Sequence, residues 1–159
     1  MLTQTDITST IKSIPWFLGL STESLQRLSD IADIRSFGTN QIIFNEGEQH
    51  PYLYVILDGR VLMESIIPGL GTMPVFTAES LDVIGWSSLT PVVRQKTSTA
   101  RIIEPTKCLT FHAETLMQLC EADCDLGFII MRRLANIVAT RYLSHRLQLL
   151  EKLASQQQA

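Results

Sequence analysis

Tyr52-Leu53-Tyr54-Val55-Ile56-Leu57-Asp58-Gly59, followed by Val61 to Ile67 and then Pro68-Gly69-Leu70-Gly71, is the stretch that decides the fold. Two apolar runs of strand length flank a turn dipeptide, and a second turn closes the second run. Asp-Gly between apolar runs is a strong hairpin signal, because both central turn positions need positive φ. Working outward, Ile42-Ile43-Phe44 and the turn Asn45-Glu46-Gly47-Glu48 come before it. Met73 to Thr77, Asp82 to Ile84, Thr97 to Ile103 and Cys108 to Phe111 continue the series. Many short strands with regular turns predict a mainly β fold, a double-stranded jelly-roll-like β-roll over residues 35–111. No helix long enough for a parallel crossover separates them, which argues against a parallel sheet.

Helices flank the roll. In the N-terminal helical segment, residues 1–34, Ile14, Trp16, Phe17 and Leu18 form an apolar lead-in. Ser21 or Thr22 caps the helix that follows, where Leu25, Leu28, Ile31 and Ala32 recur at helical spacing. Residues 112–154 read as C-terminal helices: Ala113 to Cys120, then a much longer one capped by Asp123 or Asp125 and running to about Leu153. Ile130, Leu134, Ile137 and Val138 suit packing on the roll. Leu143, Leu147, Leu150 and Ala154 recur at heptad-like spacing. Residues 155–159 are a polar tail. With no internal repeat and no linker, residues 1–159 read as one domain.

Composition excludes several functions. The formal net charge of −3 gives no bulk attraction for nucleic acid or acidic membranes. Met1 to Thr10 is polar rather than basic-then-apolar, so no signal peptide is expected. The longest apolar run, Phe128 to Met131, is far too short for membrane insertion. Cys108, Cys120 and Cys124 are odd in number and lack zinc-like spacing, which reads as reduced, buried thiols in a cytoplasmic protein. Cys120 and Cys124 mimic paired ligands, but a loop containing Asp123 separates their helices. His50, His112 and His145 are scattered, so no metal centre is expected. No serine or cysteine sits in a nucleophile motif. The expectation is no catalytic residue and no enzyme.

One stretch carries chemistry. Val83-Ile84-Gly85-Trp86-Ser87-Ser88-Leu89 is followed by Lys96-Thr97-Ser98-Thr99-Ala100. A strand reaches a glycine, a short helix starts, and a basic residue with hydroxyls opens the next strand. Such a corner builds a small anion pocket: amides of Ser87, Ser88 and Leu89 at a helix N-terminus, hydroxyls of Ser87, Ser88 and Thr97, and Lys96 or Arg94 as counter-charge. The blander reading is a corner that needs glycine for its backbone, with Ser87 as a cap and Trp86 as a packing residue.

This plan resembles the cyclic-nucleotide-binding domain family, in the form of the sensor half of catabolite activator proteins. Asn45 to Glu48 with Tyr52 to Gly59 is similar to the family's early signature, and Gly85 with Lys96 to Ala100 falls where it has its phosphate-binding cassette. The likeness covers roughly Pro15 to Leu150. Two positions depart from it. The family places a glutamate after the cassette glycine to accept the ribose 2′-hydroxyl; here stands Trp86, whose indole only donates. It places an arginine where Lys96 stands, and lysine offers only a point charge. Trp86-Ser87-Ser88-Leu89 is similar to a small one-domain bacterial subgroup, so the cassette reads as degenerate.

The resemblance implies a regulatory sensor that binds a small anionic ligand, a cyclic nucleotide or another anion, and needs no resident cofactor. It implies that Arg141, with Tyr142 beside it, lies near the ligand's base. It implies a homodimer through the helix around Leu143, Leu147 and Leu150, read by an unknown partner protein. Because the sequence stops where the family's helix-turn-helix begins, no sequence-specific DNA binding is expected. The alternative is a ligand-free dimeric scaffold in which Trp86 fills the old pocket.

Overall fold

The computed structural model describes residues 4–90 and 92–156 of the chain. Helices α1 (Gln4–Ser13) and α2 (Thr22–Ile31) lead into six strands: β1 (Ala32–Phe37), β2 (Ile42–Phe44), β3 (Tyr52–Ile67), β4 (Gly71–Ala78), β5 (Val83–Ile84) and β6 (Thr99–His112). Helices α3 (Ala113–Ala122) and α4 (Cys124–Gln156) follow.

All the strand pairings are antiparallel. The two long strands, β3 and β6, pair along their length and serve both halves of a roll. β1, the C-terminal half of β6, the N-terminal half of β3 and β5 make one layer. β2, the N-terminal half of β6, the C-terminal half of β3 and β4 make the other. The expected strands at Thr97 to Ile103 and Cys108 to Phe111 are therefore one strand, β6.

Asp58-Gly59 is a correction. It does not reverse the chain; it is a bulge at which β3 bends from one layer into the other. The register against β6 breaks between Ile56, Asp58, Arg60 and Val61. Gly59 alone of the pair has positive φ, 93°, whereas a two-residue reversal needs it at both positions. A Cβ at Gly59 would lie 2.4 Å from the Pro105 carbonyl oxygen. The glycine is required by close approach of the two strands as well as by its dihedral. The Pro68–Gly71 turn does close a hairpin, joining β3 to β4.

Alternation along β3 sorts side chains between two cores. Leu53 and Val55 point to the helical side, where they join Leu28, Leu116, Leu126 and Ile130. Tyr54 and Ile56 point into the roll, with Phe44, Val61 and Ile102. Ile7, Ile11 and Ile14 bring α1 into the helical core. Ser21 caps α2 by accepting from the Ser24 amide at 3.0 Å. Asp123, not Asp125, caps α4: one oxygen accepts from the Leu126 amide at 3.0 Å, and the other from the Ser24 hydroxyl at 2.8 Å. These bonds hold its carboxyl below the usual range. Ile130 and Leu134 are buried on the helical core, with Ile137 and Val138 packed against it.

Cys108 and Cys120 are buried but Cys124, at the start of α4, is exposed, which corrects the expectation for that thiol. The helix also continues through Ser155 and Gln156, which were expected in the tail; residues 157–159 lie outside the described residues. No helix among the described residues is long and apolar enough to cross a membrane.

Candidate functional site

A cavity of about 350 Å³ lies between the roll and α4. Three parts of the chain wall it. The roll supplies interior positions such as Phe44, Met63, Phe76 and Ile84; the corner supplies Gly85, Trp86 and Ser87 with Lys96, Thr97 and Ser98; and α4 supplies Val138, Arg141, Tyr142 and His145. At 100° per residue these four α4 positions share one helix face.

The corner is built on the Gly85 carbonyl. Gly85 takes φ 76°, and a Cβ there would lie 2.7 Å from the Tyr52 carbonyl oxygen. The short helix behind it, Trp86–Leu89, is a single 3-10 turn. The Gly85 oxygen accepts from the Ser88 amide at 3.1 Å, the Ser88 hydroxyl at 2.8 Å and the Lys96 ammonium at 2.9 Å. The Ser88 donors are thus spent inside the corner. They do not face the cavity.

Lys96 is buried, 2 % exposed, and forms no ion pair among the described residues. Burial pulls its pKa down to about 8, against a smaller upward pull from Glu48. Its Nζ lies 5.3 Å from the centroid of the Phe44 ring. An ammonium carries three N–H donors; the Gly85 bond uses one. Ser87, also 2 % exposed, forms no side-chain hydrogen bond among the described residues. The Ser98 hydroxyl donates to the Thr97 carbonyl at 2.8 Å and lies 3.1 Å from that of Ser65.

Arg141 lies at the other end of the wall. Its guanidinium sits 3.6 Å from the centroid of the Phe76 ring, and 3.8 Å from an Asp82 oxygen. Burial lowers its pKa and Asp82 raises it, but a guanidinium stays charged throughout. Among the described residues lining the cavity there is no carboxylate. Two cations face it without an acid in its wall, so its potential favours an anion.

Of the residues expected at a binding site, Gly85, Trp86, Ser87, Lys96, Thr97 and Arg141 line this cavity. Ser88, Leu89 and Arg94 do not. They border a second hollow, of about 800 Å³, with His50 and His112. Leu89 is buried in the helical core and Arg94 is exposed. The choice between the two basic residues therefore falls on Lys96, which is buried in the cavity wall while Arg94 is exposed outside it. Trp86 is half-buried: it packs on the helical core and lines the cavity, without closing it. His145, Phe76 and Ser98 belong to the wall without having been singled out. The signal for His145 is its place four residues after Arg141, on the same helix face. Among the described residues no group of three or more His, Cys, Asp and Glu could hold a metal.

The sequence model described as "Cyclic nucleotide-binding domain" matches residues 34–123. None of the curated proteins matches the chain. Several solved structures share the fold. The chain is similar to a cyclic nucleotide-binding domain from Methylobacillus flagellatus at 21% identity and a TM-score of 0.79, covering 94% of this chain and 83% of that one. It is similar to the catabolite activator protein of Thermus thermophilus at 22% identity and a TM-score of 0.71, covering 89% and 63%. It is similar to the sensor domain of the transcriptional regulator DNR from Pseudomonas aeruginosa at 16% identity and a TM-score of 0.71, covering 87% and 93%.

Proposed function

The chain belongs to the cyclic nucleotide-binding domain family, and from that premise we propose that it is a regulatory sensor that binds a small anion and signals through α4. The observation that carries this reading is the two-sided use of that helix. Val138, Arg141, Tyr142 and His145 wall the cavity, while Leu143, Leu147 and Leu150 lie on the opposite face and are exposed. An anion drawn to Lys96 and Ser87 meets the helix at Arg141. A ligand that binds one setting of α4 better than another shifts the population toward it, and the leucine face moves with it. A second copy of the chain on that face, and a partner protein reading the pair, would receive the signal. The role is regulatory, not catalytic, and the three free cysteines are in keeping with a reducing, cytoplasmic setting. The ligand is a cyclic nucleotide or another anion, and no resident cofactor is invoked.

Calorimetric titration tests the site. Cyclic mononucleotides, cyclic dinucleotides, inorganic phosphate and organic acids are titrated into wild type and a Lys96→Ala, Ser87→Ala double variant. Equal affinity in both proteins removes the assignment. A second reading, a ligand-free dimeric scaffold, draws on the packing of Trp86 against the helical core. It is favoured if no anion in the panel raises the melting temperature, since ligand binding to the native state must stabilise it.

A further inference from the structure

We propose that the ligand of this cavity is a sugarless organic acid: one carboxylate held by Lys96 and Ser87, and a flat apolar body lying against Trp86 and the Arg141–Phe76 stack. The proposal rests on the anion-sensor reading and names its ligand class.

The head group follows from what is buried and unspent. Lys96 and Ser87 are each 2 % exposed and line the cavity. The ammonium has donated one bond, to Gly85, and the Ser87 hydroxyl forms none among the described residues. Together they offer donors to a single negative group. A phosphomonoester brings close to two negative charges to the single ammonium beside Ser87; a cyclic phosphodiester brings one, as a carboxylate does, but meets a point charge there rather than a guanidinium fork that grips it through two parallel bonds. A carboxylate matches the charge.

The body follows from the walls. Phe44, Met63 and Ile84 on the roll side are apolar, and the Arg141 guanidinium carbon lies over the Phe76 ring, 3.6 Å from its centroid. Flat faces of this kind stack on an aromatic group. They do not suit a ribose. The residue beyond Gly85 is an indole, a donor only, and no carboxylate among the described residues lines the cavity to accept from a sugar hydroxyl. The hydroxyls of Ser65 and Ser98 spend their protons on each other and on the Thr97 carbonyl, which leaves them as neutral acceptors only. A sugar hydroxyl that meets no carboxylate forgoes a charge-assisted hydrogen bond, which weakens binding on the order of ten- to a hundredfold. A cavity of about 350 Å³ lies in the size range of small-molecule sites.

The test is calorimetry on the whole chain with indole-3-acetate, 3-phenylpropionate and 2-naphthoate as probes, beside indole-3-acetamide, cyclic AMP and inorganic phosphate. The expected result is that at least one acid binds, indole-3-acetamide binds at least tenfold more weakly than indole-3-acetate, and Lys96→Met loses at least tenfold for the acid. If Lys96→Met does not fold, as judged by circular dichroism, the comparison of acid with amide on wild type decides alone. Equal binding of acid and amide overturns the proposal, as does binding indifferent to a folded Lys96→Met. Lys96-dependent binding of cyclic AMP or phosphate in preference to all three acids overturns the organic-acid class and leaves the anion sensor standing. No binding by any probe removes both.

Discussion

The Nζ of Lys96 lies 2.9 Å from the carbonyl oxygen of Gly85. That one bond joins the two ends of the corner, across a loop that carries Arg94 out to solvent. It also places an ammonium in an apolar wall, 2 % exposed and without an ion pair among the described residues. Burying a charge costs free energy unless something pairs it, so this lysine lowers the stability of the fold, and an anion beside it would offset that cost.

Lys96→Met is therefore expected to stabilise the chain. The folded protein releases this proton near pH 8, while the ordinary lysine value is 10.5. Below 8 both states hold the proton and the whole penalty is present. Between 8 and 10.5 the unfolded lysine holds more of its proton than the folded one, so the penalty from this one group falls away as pH rises. The shift corresponds to about 3 kcal/mol. Methionine fills a similar volume, and the Gly85 oxygen keeps both Ser88 donors, so no acceptor is orphaned. Urea unfolding should show Lys96→Met more stable than wild type at pH 7, with the difference shrinking toward pH 10; the buried thiols of Cys108 and Cys120 and the phenol of Tyr54, whose pKa values burial raises, lower the stability of both proteins alike above about pH 9. A variant less stable at pH 7 contradicts this account.

Anion affinity should fall as pH rises through about 8, because the free protein loses the charge that binds. A bound anion holds the proton on Lys96, so binding above pH 8 takes up a proton. Calorimetry at pH 8.5 in buffers of different ionisation enthalpy would read that uptake as a change in observed heat. Heats that do not vary with the buffer count against Lys96 as the contact.

Gly85→Ala and Gly59→Ala should each cost more than about 2 kcal/mol. Both need positive φ, 76° and 93°, and in both the new Cβ meets backbone, 2.7 Å from Tyr52 and 2.4 Å from Pro105. The left-handed conformation alone costs roughly 1–2 kcal/mol for a residue with a side chain, and neither neighbour is a flexible tip that can swing aside. Gly47→Ala is the control: its φ is 81°, but nothing lies within 4 Å of its Cβ, so it should show the dihedral cost without the clash. Equal losses at all three sites, by urea unfolding, would refute the role given to close approach.

These glycines also show how much was legible in the sequence. Short apolar runs broken by turn residues made the roll readable, but Tyr52 to Leu57 is apolar throughout, because Leu53 and Val55 face the helices while Tyr54 and Ile56 face the roll interior, so the run itself does not mark its two faces. The plan of helices around it followed from periodicity. Asp58-Gly59 misleads because a dipeptide reports that the backbone needs positive φ, not whether the chain turns back. A bulge between two layers makes the same demand as a hairpin. Arg94 and Lys96 are two residues apart, and only the path of the loop between them decides which is buried. Phe76 belongs to the wall through the pairing of β3 with β4 and the packing of α4, which no local pattern marks, whereas His145 follows from Arg141 by helical spacing alone.

The far half of α4 yields the last prediction. Leu143, Leu147 and Leu150 are 52%, 49% and 47% exposed, with Leu153 at 50% beside them. Their spacing is heptad-like, and they lie opposite the face that walls the cavity. Each is already half covered, so burial of the remainder against a second copy would contribute roughly 1 kcal/mol per side chain, and the leucines of both copies together come to about the low end of the cost of association. Sedimentation should find the wild type dimeric at micromolar concentration, and Leu147→Glu, which places a charge in the strip without touching a cavity residue, monomeric and still folded. If Leu147→Glu stays dimeric, the copies meet elsewhere, and the route from ligand to leucine face proposed for α4 must be abandoned.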